Sequence, residues 1–158
     1  MSDFSPRDFD KYDCVKLSWL IYICLAYVLR GYVVWIMSVT NVQDRVGVIQ
    51  SIYPEQSLFY LSLLSGSLGI FLVFLLSLRR PEASKWVKRL CKKLRILLIA
   101  TMLFDLAINA VAYFKFEMIS GIWLAGQVMI VGLLTILLMS SKRIAFNIEE
   151  FPEKLPEK

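Results

Sequence analysis

A chain of 158 residues that is 58% hydrophobic and only 20% charged departs from the composition of a soluble domain towards that of an integral membrane protein. With about 20 apolar residues needed per crossing, this length holds at most four or five spans and leaves little chain for a soluble domain. The net charge is +5 and there is no histidine, which excludes Ser-His-Asp and Cys-His catalysis and removes the commonest metal ligand.

The rest of the inventory points the same way. Cys14, Cys24 and Cys91 form no C-x-x-C pair, and no glycine-rich phosphate-binding motif occurs. No metal, cofactor or enzymatic activity is expected. The expected fold class is all-α integral membrane: a four-transmembrane-helix bundle, residues 17–142, with a basic amphipathic helix between spans 2 and 3.

In chain order, residues 1–16 form a polar arm. It sets Asp3, Asp8, Asp10 and Asp13 against Arg7, Lys11 and Lys16, unlike the basic leader of a signal peptide. The aspartate spacing matches no EF-hand loop, so a solvated arm is expected. The first apolar run, 17–39, is too long for a signal-peptide core and is read as a retained span carrying Arg30. The connection that follows, 40–57, shows no ligand-binding pattern. Tyr53-Pro54-Glu55 reads as a turn, with Pro54 in the first helical position of span 2. Span 2, 58–78, carries Ser62, Ser65, Gly66, Ser67 and Gly69. The pairs Ser62/Gly66 and Ser65/Gly69 are small-xxx-small spacings that let helices approach closely.

The connection 79–95 holds eight lysines and arginines. A helix is expected from Pro81 onward, with Trp86, Leu90 and Leu94 every four residues, Val87 and Cys91 beside them, and basic residues on the other face. It should run straight into span 3, 96–114. Lys85, Lys88, Arg89, Lys92, Lys93 and Arg95 are the candidates for holding anionic lipid headgroups, unless their charge serves only to set orientation. A tight hairpin at 115–118 leads to span 4, 119–139. The tail, 143–158, ends in two Pro-Glu-Lys tetrapeptides and is expected to be extended and disordered.

Outside the spans, fifteen lysines and arginines lie on the side of the termini and the 79–95 connection, against Arg45 and Lys115 on the other. The positive-inside rule makes both termini cytoplasmic. Trp19, Tyr22, Trp35, Tyr60, Tyr113 and Trp123 fall near span ends, at headgroup level.

Only Arg30 and Asp105 are charged within the spans. Helix rise places Arg30, Asn109 and Gln127 at similar depth, roughly 20 Å from the inner boundary, with Asp105 one turn below. The set reads either as an Arg30–Asp105 ion pair bridged by Asn109 and Gln127 that fixes helix register, or as a site for a proton, ion or anionic headgroup.

Tyr12-Asp13 and Lys16 before the first span, Arg30 within it, Tyr53-Pro54 before the second and Arg79-Arg80 after it carry a resemblance over 10–142. With them, the chain resembles a family of uncharacterised small four-span inner-membrane proteins of gammaproteobacteria. The resemblance implies a bacterial inner membrane and supplies no activity. The expected role is accessory, assembly or envelope-associated, with anionic lipids and a second copy or another membrane protein as partners, and no nucleic acid. The alternative is a transporter or channel subunit that uses Arg30 and Asp105.

Overall fold

The computed structural model describes residues 16–151 apart from 42, 54, 117, 118 and 150, and only the backbone of Arg45 and Glu149. Among the described residues there are eight helices and no strand. These are α1 (Trp19–Val28), α2 (Arg30–Thr40), α3 (Arg45–Ile52), α4 (Gln56–Ser77), α5 (Lys85–Cys91), α6 (Leu94–Phe116), α7 (Gly121–Ser140) and α8 (Lys142–Glu149). The acidic arm with its four aspartates, Cys14 and the terminal tetrapeptides lie largely outside the described residues.

Three helices, α4, α6 and α7, are long and apolar enough to cross a membrane. Their bounds fall within two residues of the expected spans 2, 3 and 4. Large apolar side chains such as Ile122, Met129, Leu64 and Ile96 are exposed along them, as hydrocarbon-facing surfaces require.

The first expected span is not one helix. α1 and α2 are bent by 69° at Leu29, so the chain has four spans only if this broken pair counts as one. Ten and eleven residues give about 15 and 16 Å of helix. Sharing the bend equally between the two halves leaves an axial reach of roughly 26 Å, short of the ~30 Å hydrocarbon core.

No proline causes the break; close packing accompanies it. A Cβ on Gly66 would sit 3.2 Å from the carbonyl oxygen of Val28, and one on Gly69 would sit 2.9 Å from Val28 Cγ1. On the other side, a Cβ on Gly31 would sit 2.5 Å from Ser62 Oγ. The small face of α4 thus receives the break, from the Val28 carbonyl to Gly31, at a distance no larger residues would permit.

Two further expectations are corrected, and one connection holds a helix that was not read from its sequence. The connection 40–57 contains α3, started by Asp44, whose Oδ1 accepts from the Gly47 amide at 2.8 Å. The basic helix begins at Lys85 rather than Pro81, and a turn at Lys92–Lys93 separates it from α6. The segment after 142, expected to be disordered, begins with α8. Ile144 and Asn147 of α8 are buried, and Ile148 and, beyond the helix, Phe151 pack on the core.

The interior is layered. One cluster joins α1, α5, α8 and the adjoining halves of α4, α6 and α7, around Ile21, Leu75, Leu98, Met102 and Leu138. A smaller one at the opposite end gathers Val34, Tyr53, Leu58, Phe59 and Ala112. Between Met102 and Ala112 on α6 lies Asp105; between Phe59 and Leu72 on α4 lie Ser62 and Ser65; between Val28 and Val34 lies Arg30. These four polar residues form a stratum between the two apolar clusters.

Candidate functional site

The stratum is built around the break. An arginine is out of place in hydrocarbon unless something neutralises it, and the end of α1 offers the first partner. Arg30 Nη1 donates to the Tyr27 carbonyl at 3.2 Å, in the last turn of α1, where the partial negative charge of a helix C-terminus favours a cation. The guanidinium also stacks on the Tyr27 ring, 4.8 Å from its centroid. The second partner comes from α6: Nη1 meets Asp105 Oδ2 at 2.8 Å.

Asp105 is fully buried, and both its oxygens are engaged. Oδ2 takes the arginine, and Oδ1 accepts from the Ser65 hydroxyl at 2.6 Å. Ser65 therefore ties α4 into an ion pair that already joins α2 to α6. One turn away, the Tyr53 hydroxyl and Ser62 Oγ are 2.9 Å apart, linking the loop before α4 to the same small face. A charge pair in which both carboxylate oxygens also accept hydrogen bonds is the arrangement that a low-dielectric interior tolerates. Removing one partner alone exposes the full desolvation penalty, about 3 to 5 kcal/mol.

The structure brings Arg30 and Asp105 together, but Asn109 and Gln127 do not bridge them. Asn109 Nδ2 donates to the backbone carbonyl of Asp105 at 2.8 Å, the local i to i−4 bond open to any short polar side chain in a helix. Gln127 is buried on α7, and its Oε1 has no hydrogen-bond partner among the described residues. It lines a groove of about 390 Å³ together with Tyr27, Arg30, Trp123 and Gly126. Equal depth along the membrane normal does not make equal azimuth, and the helix-rise argument addresses only depth. Tyr27, Tyr53 and the hydrogen-bonding role of Ser65 were missed from sequence. For Tyr27 a signal existed, since it precedes Arg30 by three residues and so shares its face.

The basic residues separate into two groups. Lys85, Arg89, Lys92 and Lys93 are exposed. Lys88 is half-buried, with Nζ 5.2 Å above the Phe151 ring. Arg95 Nη2 donates to the Ser141 carbonyl at the end of α7 at 3.2 Å, and Arg79 Nη2 donates to the Asn147 carbonyl in α8 at 3.0 Å. These arginines hold helix ends, where free carbonyls need donors. On α5 the buried face is Val87 and Cys91, packed on the core, while Trp86 is exposed. Burial pushes the Cys91 thiol above its usual value against the opposing pull of Arg79, so it stays neutral and poorly nucleophilic.

Among the described residues, no group of three or more Cys, Asp or Glu side chains stands close enough to hold a metal ion. The model of a family described as protein of unknown function (DUF2919) matches residues 4–150. No curated protein and no solved structure matches the chain.

Proposed function

The chain belongs to the DUF2919 family, and we propose that it is a non-enzymatic inner-membrane protein with an accessory or assembly role, in which Arg30 and Asp105 form a strut rather than a transport site. The observation that carries this reading is the saturation of Asp105. A carboxylate that is fully buried, with both oxygens accepting hydrogen bonds from Arg30 and Ser65, has no surface open to a pathway for a proton or cation. The strut fixes the broken first segment to α4 and α6, and the shape so held is what a partner or the bilayer meets.

The orientation we propose puts both termini, α5 and α8 in the cytoplasm, by the bias of basic residues towards that end. The exposed Lys85, Arg89, Lys92 and Lys93 then face anionic headgroups. Reporter fusions at residue 88 should read cytoplasmic and at residue 48 periplasmic; the reverse pattern overturns the orientation.

The strut is tested by a double-mutant cycle on membrane abundance and thermal stability. Arg30→Ala and Asp105→Ala should each cost about 3 to 5 kcal/mol, and the double variant should recover much of that loss. Recovered abundance with a persistent loss of cellular phenotype would assign the pair to a working site and defeat the strut reading.

A further inference from the structure

α8 is held in a way that leaves it removable. Its inward face is Ile144, Asn147 and Ile148, spaced as one helical stripe, and it packs against α6. Within that stripe Asn147 is 4% exposed, and its Nδ2 and Oδ1 are both buried without a partner. At the foot of the helix Arg95 Nε is likewise buried and unpartnered. Buried polar groups are nearly always bonded, and an amide that gives up water and gains nothing opposes the docking that buries it. A helix of eight residues has little stability of its own, so α8 stays ordered only while it lies against something. Ser141, in extended conformation, is a one-residue joint between α7 and α8.

What fastens α8 is drawn from the basic connection. Arg79 Nη2 donates to the Asn147 carbonyl at 3.0 Å, and Lys88 Nζ stands 5.2 Å above the ring of Phe151, just beyond the helix. Both of these contacts set a cation against a neutral group. Arg79 follows the end of the apolar α4 by two residues, which puts it at headgroup level, on the same connection as the exposed Lys85, Arg89, Lys92 and Lys93. A phosphodiester offers either cation a charged acceptor, and charge-assisted hydrogen bonds are roughly twice as strong as neutral ones. Phosphate and α8 therefore compete for Arg79 and Lys88.

We propose that α8 is a strap that anionic phospholipid headgroups displace. Docked, it withholds Arg79 and Lys88 from the membrane surface; released, it yields both to the lipid, and Asn147 regains water. The proposal rests on the reading that the exposed basic residues of the 85–93 segment face anionic headgroups, and adds that full headgroup binding and α8 docking exclude each other. The opposition is reciprocal: whatever tightens α8 weakens lipid binding, and lipid loosens α8 by the same factor.

Two substitutions move the strap in opposite directions. Asn147→Leu tightens it by removing the unsatisfied amide from an apolar face, and Phe151→Leu loosens it by removing the ring under Lys88. The full chain is placed in nanodiscs of phosphatidylcholine, with or without phosphatidylglycerol, and retained lipid is read by native mass spectrometry. The position of α8 is read from the distance between nitroxides on Ser84→Cys and Phe146→Cys, with Cys14, Cys24 and Cys91 changed to alanine. Phosphatidylglycerol should add a second, longer distance, which Asn147→Leu suppresses and Phe151→Leu enlarges. Retention of phosphatidylglycerol should fall roughly fivefold in Asn147→Leu, the equivalent of one cation at an anionic surface, and rise in Phe151→Leu. The retention measurement keeps the native cysteines, so it decides the matter even where the alanine background folds poorly. Preferential retention of phosphatidylglycerol with one unchanged distance in both discs, or with Asn147→Leu retaining as much as the parent, overturns the strap and leaves the headgroup reading standing. A parent chain with no preference for phosphatidylglycerol overturns the headgroup reading, and the strap with it.

Discussion

The two ends of the bundle are built on different terms. At the basic end, α1, α5 and α8 close over the bases of α4, α6 and α7, and Ile21, Leu75, Leu98, Leu138 and Ile144 are wholly withdrawn from the surface. At the opposite end the core shrinks to Val34, Tyr53, Leu58, Phe59 and Ala112. There the chain relies on α2 packed against α4 and on α3 packed against α2. The first end is held by volume, the second by close backbone approach and a few polar bonds. A membrane protein can place its rigidity at one face and its irregularity at the other, and the charged stratum at Arg30 and Asp105 is where one regime gives way to the next.

The sharpest way to break this contrast is truncation in each core. Leu98→Ala at the basic end should cost about 3 to 4 kcal/mol, because a fully enclosed site cannot collapse. Leu58→Ala, 9% exposed and at the margin of its cluster, should cost roughly half that. Thermal unfolding in detergent measures both, and equal losses would mean that the small cluster is packed as tightly as the large one.

Next in size is the seat of the break. Gly31→Leu forces a side chain to within 2.5 Å of Ser62 Oγ and near its backbone, so α2 must lift from α4 at a cost of about 2 to 3 kcal/mol. The damage should be local. Limited proteolysis should open the 40–57 segment while 85–95 stays protected; cleavage at both would show that the ends are not separable.

Much of this architecture is legible in the sequence, for reasons that differ by element. α4, α6 and α7 are readable because hydropathy over twenty residues is a one-dimensional property that needs no neighbour. The partnership of Arg30 with Asp105 is readable because the apolar runs hold only one acid and one base. The break at Leu29 is not, because no proline or glycine stands at that position. The glycines at 66 and 69 that accompany it belong to another helix, and a small-xxx-small pattern does not say what it receives. Nor does depth reveal that Gln127 turns to the groove. α8 is a different kind of miss: Ile144, Ile148 and Phe151 carry a helical period that the Pro/Glu/Lys composition of the following residues obscures.

The smallest effect concerns the surface of the basic end. Changing Lys85, Arg89, Lys92 and Lys93 to glutamine should weaken retention of anionic lipid by about 1 kcal/mol per residue without lowering the melting temperature, since all four are exposed. Including Arg95 should add a loss of stability, because it donates to Ser141. Native mass spectrometry with anionic and zwitterionic lipids separates the two outcomes, and unchanged retention would leave these lysines and arginines with orientation as their only task.

The pairing of Arg30 with Asp105 also sets an order in time. The two residues are 75 positions apart, so at a synthesis rate of roughly 5 to 20 residues per second the acid leaves the ribosome several seconds after the base. During that interval the first segment carries an uncompensated cation, which opposes its entry into the bilayer by about 2.5 to 3.5 kcal/mol on insertion scales. Its two helices are short, and Ser65 and Asp105, which complete the arginine's bonds, arrive only with α4 and α6. The first segment to be made is thus not the first to be secured, and its final placement waits on the third membrane-crossing stretch of the nascent chain.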